Sequence, residues 1–302
     1  MKISFRTLGT AFAAGALGGL LAIATPASQA QPQQAPQAAP APSTRTVDVN
    51  GTPRHYLLDL PANYDPARAY PVVLGYSGAW TDAQVFRDQA LLNHAVGTEA
   101  IVAYPQGVVD KFKGKPAWGG PHYAAQTTDD DVAFARALVA DLSANYHVDT
   151  DRIYATGLSN GGGAALNLAC HAPDLVDGVA SAAGAYYDAT VSNCVEHAPV
   201  PTLLMHHQDD HIINIHGGAN GHGGHYKAAR QVFDEFAARN GCAPEAADNN
   251  WVVGAHTISG SDCLAATEFS TMVSPQANNG HTWFTAAPNA NVLVWEFFQS
   301  QF

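Results

Sequence analysis

Short runs of consecutive apolar residues alternate along this chain with longer segments whose apolar positions recur every three or four residues. The runs "YPVVLGY" (Tyr70–Tyr76), "AIVAYP" (Ala100–Pro105), "DRIYATG" (Asp151–Gly157), "DGVASAAG" (Asp177–Gly184) and "PTLLMHH" (Pro201–His207) are bounded by turn residues and predict buried strands. Their apolar character is continuous, which predicts a mainly parallel sheet covered on both faces. Between them, "DDDVAFARALVADLSANY" places Val132, Ala135, Leu138, Val139 and Leu142 on one helical face, behind acids that suit a helix start. "HYKAARQVFDEFAARNG" predicts a second amphipathic helix stopped by Gly241, and "NANVLVWEFFQSQF" a terminal one. "RTVDVNGTPRHYLLDLP" reads as a hairpin around Asn50-Gly51, adding antiparallel strands at the N-terminal edge. Strands alternating with helices predict a doubly wound α/β sheet with right-handed crossovers in a single domain.

The N-terminal segment breaks that pattern. Lys2 and Arg6 precede the apolar, small-residue core "LGTAFAAGALGGLLAIA", and "SQA" ends at Ala30, so residues 1–30 read as a cleaved secretory signal peptide. The core is short and glycine-rich for a membrane span of roughly 20 apolar residues, so no membrane association is expected. Residues 31–44, "QPQQAPQAAPAPST", form a Pro/Ala/Gln-rich linker that has no apolar periodicity with which to build a core. The folded domain is then expected over residues 45–302.

Charge narrows the partners. The net charge of −12 becomes −14 once Lys2 and Arg6 leave with the signal. Such a chain lacks the basic patches that phosphate backbones demand, which argues against nucleic acid. No feature sets an oligomeric state. Four cysteines, Cys170, Cys194, Cys242 and Cys263, all lie in the exported part, where an even count favours two disulfides. Three pairings are open; sequential pairing closes the shortest loops and is the expected one. No two cysteines have the close spacing of a zinc site.

The chemistry concentrates in "YATGLSNGGGAALNLAC", Tyr154 to Cys170. Here Gly157-Leu158-Ser159-Asn160-Gly161 is G-x-S-x-G between a predicted strand and a predicted helix, the context in which the motif means a nucleophile elbow. Glycines at its ends remove side chains that would collide across the turn. The Asn160 backbone N–H can then face a developing oxyanion. A serine hydroxyl needs a histidine to take its proton and an acid to orient that histidine. In this fold class the order is Ser, acid, His. Asp209 and Asp210 follow the apolar run ending at His207, and His281 lies in "NNGHTWF" ahead of the terminal helix. His256 is its nearest competitor among 14 histidines.

The pieces "YPVVLGYSGAW", "AIVAYPQG", "DDDVAFARALVADL", "VDTDRIYATGLSNGG", "RNGC" and "GHTWF" occur in an order that resembles the secreted feruloyl esterase and polyhydroxybutyrate depolymerase group of α/β-hydrolases. The resemblance implies an α/β-hydrolase fold, no cofactor, and a triad of Ser159, Asp210 and His281. Asp210 is reached by setting His206-His207-Gln208-Asp209-Asp210 against the group's H-G-x-x-D, with His207 in the glycine's place; Asp209 is the alternative acid. The group's His-Gly loop after the first central strand is Ser77-Gly78 here, and the second oxyanion donor is expected from the backbone of Ala79.

Six histidines between His206 and His225 raise a metal site as a possibility. The glycine-rich "HGGANGHGG" opposes a preformed one, so the segment is read as a polar loop and no metal is assigned. Trp283, beside His281, and Trp80 are candidates for lining the substrate pocket, and Trp118 is a weaker one. The expected reaction is hydrolysis of a small ester or one derived from a polysaccharide or polyester. Feruloyl esters come first, with polyhydroxyalkanoate or acetyl xylan as alternatives. A peptidase on the same fold and a secreted binding protein on a hydrolase scaffold are the rival readings.

Overall fold

The computed structural model describes residues 41–195, 198–221, 223–243, 250–261, 263–275 and 280–301. The expected signal peptide, and the linker up to residue 40, lie outside the described residues.

The chain opens with the predicted hairpin, β1 (Ser43–Val49) and β2 (Thr52–Asp59), turning at Asn50-Gly51. Strand β1 begins two residues before the expected boundary at Arg45, because Ser43 and Thr44 already pair with Leu58 and Leu57. Next come β3 (Tyr70–Tyr76), α1 (Ala83–Ala90), α2 (Leu92–Val96), β4 (Ile101–Pro105) and the small ribbon β5 (Val108–Val109) with β6 (Pro116–Ala117). Then follow α3 (Thr128–Asn145), β7 (Val148–Leu158), α4 (Asn160–His171), β8 (Gly178–Ala182), α5 (Asp188–Val191) and β9 (Thr202–His207). A second ribbon, β10 (Gly218–Asn220) with β11 (Gly224–Tyr226), precedes α6 (Ala229–Arg239). The chain closes with β12 (Asn250–Val253), β13 (His256–Ser261), β14 (Thr267–Met272) and α7 (Ala290–Gln299).

Ten strands form one sheet in the order β1-β2-β4-β3-β7-β8-β9-β14-β13-β12. Its centre, β4 through β14, is parallel, and both flanks are antiparallel. The antiparallel N-terminal edge follows the hairpin pattern; the second antiparallel edge, β13 and β12, was not expected. The reason is visible in "NWVVGAHTISG", where exposed and buried residues are mixed and the continuous apolar runs that marked the central strands are lacking.

Alternation along the central strands builds two cores. Val72 and Leu74 of β3 face one, with Phe134 and Leu138 of α3, Leu166 of α4 and Phe233 of α6. Val73 faces the other, with Phe86 of α1, Leu92 of α2 and Val294 and Phe298 of α7. Helix α3 starts at a reciprocal cap: Asp130 N–H donates to Thr127 Oγ1 (3.2 Å) and Thr127 N–H to Asp130 Oδ2 (2.9 Å). Helix α6 begins at Ala229, four residues later than the pattern predicts, because His225 and Tyr226 are taken by β11. Two disulfides close, Cys170–Cys194 and Cys242–Cys263, in sequential order. No helix among the described residues is long and apolar enough to cross a membrane.

Candidate active site

Ser159 sits at the tip of the turn between β7 and α4 with φ 58° and ψ −122°. That is a conformation L-residues rarely adopt, and it persists only where the surroundings hold it. The surroundings here are backbone. A Cβ on Gly161 would run into the carbonyl oxygens of Tyr76 and Ser77, and one on Gly157 into the carbonyl of Gly161. Ser159 N–H donates to Ala182 O (2.9 Å), and Ala185 N–H to Ser159 O (2.9 Å), so β8 and the turn after it pin the bend from the other side.

The loops after β9 and β14 bring the other two groups to the same end of the sheet. His281 Nε2 lies 2.9 Å from Ser159 Oγ, and its Nδ1 lies 2.8 Å from Asp210 Oδ2. A carboxylate only accepts, so Nδ1 carries the proton and Nε2 is left to accept from the serine hydroxyl. Asp210 is buried, and its Oδ1 accepts from the N–H groups of Ile212 and Ile213, both at 2.9 Å. Burial alone would push its carboxyl up, but hydrogen bonds from His206 and His281 hold it well below the usual carboxylate range. Of the two candidate acids, Asp210 meets His281, whereas Asp209 Oδ1 accepts from Ser274 N–H (2.9 Å). His256, the competing base, is buried between Ser270 and Pro288 and bonds to neither Ser159 nor Asp210 among the described residues.

The expected oxyanion donors fall beside the serine. Asn160 is the first residue of α4, so its N–H has no carbonyl one turn earlier to bond. Gly78 and Ala79 line the pocket that contains Ser159 and His281. Trp118 joins these two pieces. Its N–H donates to Asn160 Oδ1 (2.7 Å), and its Nε1–H donates to Ser77 O (2.8 Å). Sequence reading gave Trp118 only a weak substrate role; it is fully buried and acts as a brace.

The pocket has a volume of about 400 Å³, with Leu158, Thr81, Gln89, Thr282, Trp283 and Thr285 along its walls. Trp283 is thus placed there, its ring edge-to-face with Phe86 at 5.5 Å. Trp80 is not brought to this pocket: its Nε1–H donates to Asp110 Oδ2 (2.6 Å) and the Lys113 ammonium covers its ring at 3.3 Å. A larger cleft of about 610 Å³ lies by Arg54, His55, Gln106 and Lys115, but it holds no activated nucleophile. The chemistry points to the serine pocket, because there nucleophile and base meet.

Several contributors were missed in the sequence. His206 is buried, with Nε2 2.8 Å from Ile213 O and 3.4 Å from Asp210 Oδ2, so it steadies the acid's turn. Its position at the head of H-x-x-x-D was the available signal. Thr81, Gln89 and Thr285 carried none, since they belong to no motif or period. In the histidine-rich stretch, His206 and His207 end β9, His225 Nδ1 lies 3.6 Å from Asp188 Oδ2, and His222 lies outside the described residues. Among the described residues no three His, Cys, Asp or Glu side chains are placed to hold a metal ion.

Comparison with known proteins agrees with this architecture. The family described as "Putative esterase" matches residues 49–245, more than half of the chain. The chain is 32% identical over 177 residues to the "Putative esterase NocK" of Nocardia uniformis subsp. tsuyamanensis, covering 58% of this chain and 50% of that protein. It is 28% identical over 207 residues to feruloyl esterase B of Piromyces equi, covering 65% and 37%. The chain therefore spans half or less of the length of these two relatives. Among solved structures, the acetyl xylan esterase from Aspergillus awamori superposes with a TM-score of 0.56 at 13% identity, covering 85% of this chain and 99% of that one; the likeness is one of fold.

Proposed function

We propose that this chain, which belongs to that esterase family, is a secreted serine carboxylic ester hydrolase of feruloyl-esterase type. The observation that carries the reading is the continuous relay from hydroxyl to imidazole to buried carboxylate, 2.9 Å and 2.8 Å long, at the strained bend after β7. Ser159 Oγ attacks the ester carbonyl while His281 Nε2 takes its proton. The imidazolium then protonates the departing alcohol oxygen as the carbon–oxygen bond breaks, leaving an acyl-serine. Water attacks that acyl group and gives its proton to His281, and the imidazolium returns the proton to Ser159 Oγ as the acyl–oxygen bond breaks and the acid leaves. Asp210, held ionised, keeps the proton of neutral His281 on Nδ1 and stabilises the imidazolium. Backbone N–H groups of Asn160 and Ala79 receive the oxyanion, where removing one such donor typically costs about 2.7–4 kcal/mol.

The pocket and the relatives together support a feruloyl-type acyl group. One indole wall at Trp283 and the three threonines Thr81, Thr282 and Thr285 suit an aromatic acid bearing polar substituents, and a relative is named a feruloyl esterase. Two disulfides fit the oxidising destination that the N-terminal segment announces. The test is hydrolysis of methyl ferulate, p-nitrophenyl acetate and polyhydroxybutyrate by the wild type and Ser159→Ala, with a peptide substrate alongside. Methyl ferulate should give the highest kcat/KM, and Ser159→Ala should lose it. Equal rates in the two proteins refute the mechanism. A fluorophosphonate probe that leaves wild-type Ser159 unlabelled points instead to a binding protein.

A further inference from the structure

We propose that His207 and His256 are positioning residues that clamp the segment 280–288, which carries His281, and so hold the base in register with Ser159 and Asp210; the inference rests on the triad reading above. His207 closes β9 and His256 opens β13, and both are buried. His207 Nδ1 lies 2.6 Å from the carbonyl oxygen of Gly280, the residue before His281. His256 Nε2 lies 2.9 Å from the carbonyl oxygen of Pro288, seven residues after His281. A carbonyl can only accept, so both tautomers are set: His207 is protonated on Nδ1 and His256 on Nε2. That leaves His256 Nδ1 to accept from the Ser270 hydroxyl at 2.9 Å. Burial pushes both imidazoles below their ordinary range, which keeps each a neutral donor. Between them lies the buried ring of Phe284, 3.9 Å from the His207 centroid and 5.6 Å from that of His256.

This arrangement bears on the chemistry because of where the anchored atoms lie. His207 is three residues before Asp210, and Gly280 is one residue before His281. Their hydrogen bond therefore ties the turn that supplies the acid to the loop that supplies the base. The two backbones are in direct contact: a Cβ on Gly280 would lie 2.7 Å from Asp209 C and O and from Asp210 N. A histidine chosen only to fill space would need no donor aimed at either end of that segment.

The test compares variants that keep or remove each donor. His207→Leu should lower kcat on p-nitrophenyl acetate by on the order of 10- to 100-fold with KM little changed, since a misplacement of about 1 Å can cost about 100-fold. It should also shift or broaden the low-field proton resonance of the His281–Asp210 hydrogen bond. His207→Asn, whose amide nitrogen falls near the Nδ1 position, should recover most of kcat. His256→Gln should likewise exceed His256→Leu. A lower Tm in His207→Leu with kcat and the low-field proton unchanged would overturn the proposal and leave a packing role. Should His207→Leu fail to fold, His207→Gln takes its place: its amide reaches the wrong ring position, so equal kcat for Gln and Asn overturns the clamp. Ser159→Ala separates the two levels of the argument. If it turns over at the wild-type rate, the triad reading falls and takes the clamp with it. An inactive Ser159→Ala beside a fully active His207→Leu defeats the clamp alone.

Discussion

Replacing Asp210 by Asn should abolish turnover while leaving the fold nearly intact, and the structure says why. The two carboxylate oxygens have divided duties. Oδ1 accepts two backbone N–H groups, from Ile212 and Ile213, and Oδ2 accepts His281 Nδ1–H. An amide has one oxygen, and the paired backbone donors claim it, so the NH2 group turns toward His281. Two donors cannot face one another. The imidazole answers by moving its proton to Nε2, where it points at Ser159 and can no longer serve as the base. The wrong tautomer in such a triad lowers kcat by about 10⁴, or roughly 5.4 kcal/mol at 1.36 kcal/mol per tenfold. Stability should fall by only about 1–3 kcal/mol for the weakened hydrogen bonds. The assay is kcat and KM on p-nitrophenyl acetate together with Tm, with Asp209→Asn as the control. Asp210→Asn keeping kcat within tenfold of the wild type, or Asp209→Asn suffering the larger loss, would refute the reasoning. The pH dependence carries a sign as well. Asp210 is depressed in the fold, so its stabilisation is present above the unfolded carboxylate value of about 3.9 and is lost as pH falls through the lower folded value. An acid limb of activity above pH 4 therefore does not come from Asp210.

Two further outcomes probe the scaffold. Gly161→Ala should cost about 3 kcal/mol or more and reduce soluble yield, because its Cβ meets the Tyr76 and Ser77 carbonyls and backbone cannot step aside; Gly221→Ala, with nothing within 4 Å of its Cβ, should leave Tm unchanged, and equal Tm for both variants would contradict the packing argument. Burial pushes the Asp131 carboxyl up to about 7 despite the Gly119 N–H and Arg54 beside it, so the folded state keeps a proton that the unfolded chain releases near 3.9. Stability should then fall as pH rises from about 4 to 7, by up to about 1.4 kcal/mol per unit; urea midpoints at pH 5, 6, 7 and 8 should show the slope, and Asp131→Asn should flatten it.

The sequence by itself determined five of the six strands in the parallel centre of the sheet, because strands buried on both faces must be apolar without interruption: "YPVVLGY" and "PTLLMHH" match β3 and β9 to within a residue. It missed β14, where polar residues interrupt "TEFSTM". It also marked the bend at Ser159, since backbone crowding on the scale seen at Gly157 and Gly161 leaves no room for a side chain. What it left open were relations between residues far apart in sequence but adjacent in space. Asp209 and Asp210 are equivalent as letters; only the pairing of β9 with β14 turns one toward Ser274 and the other toward His281. Trp80 and Trp283 both stand near glycines, yet one packs against Asp110 and Lys113 while the other walls the pocket. His207 and His256 read as a departure from a motif and a rival base; the fold aims both at one loop. Burial is written locally because each residue carries its own hydrophobicity. Hydrogen-bond direction is a property of pairs, and 71 positions separate His281 from its acid and 122 from its serine until the sheet assembles and brings them within 3 Å.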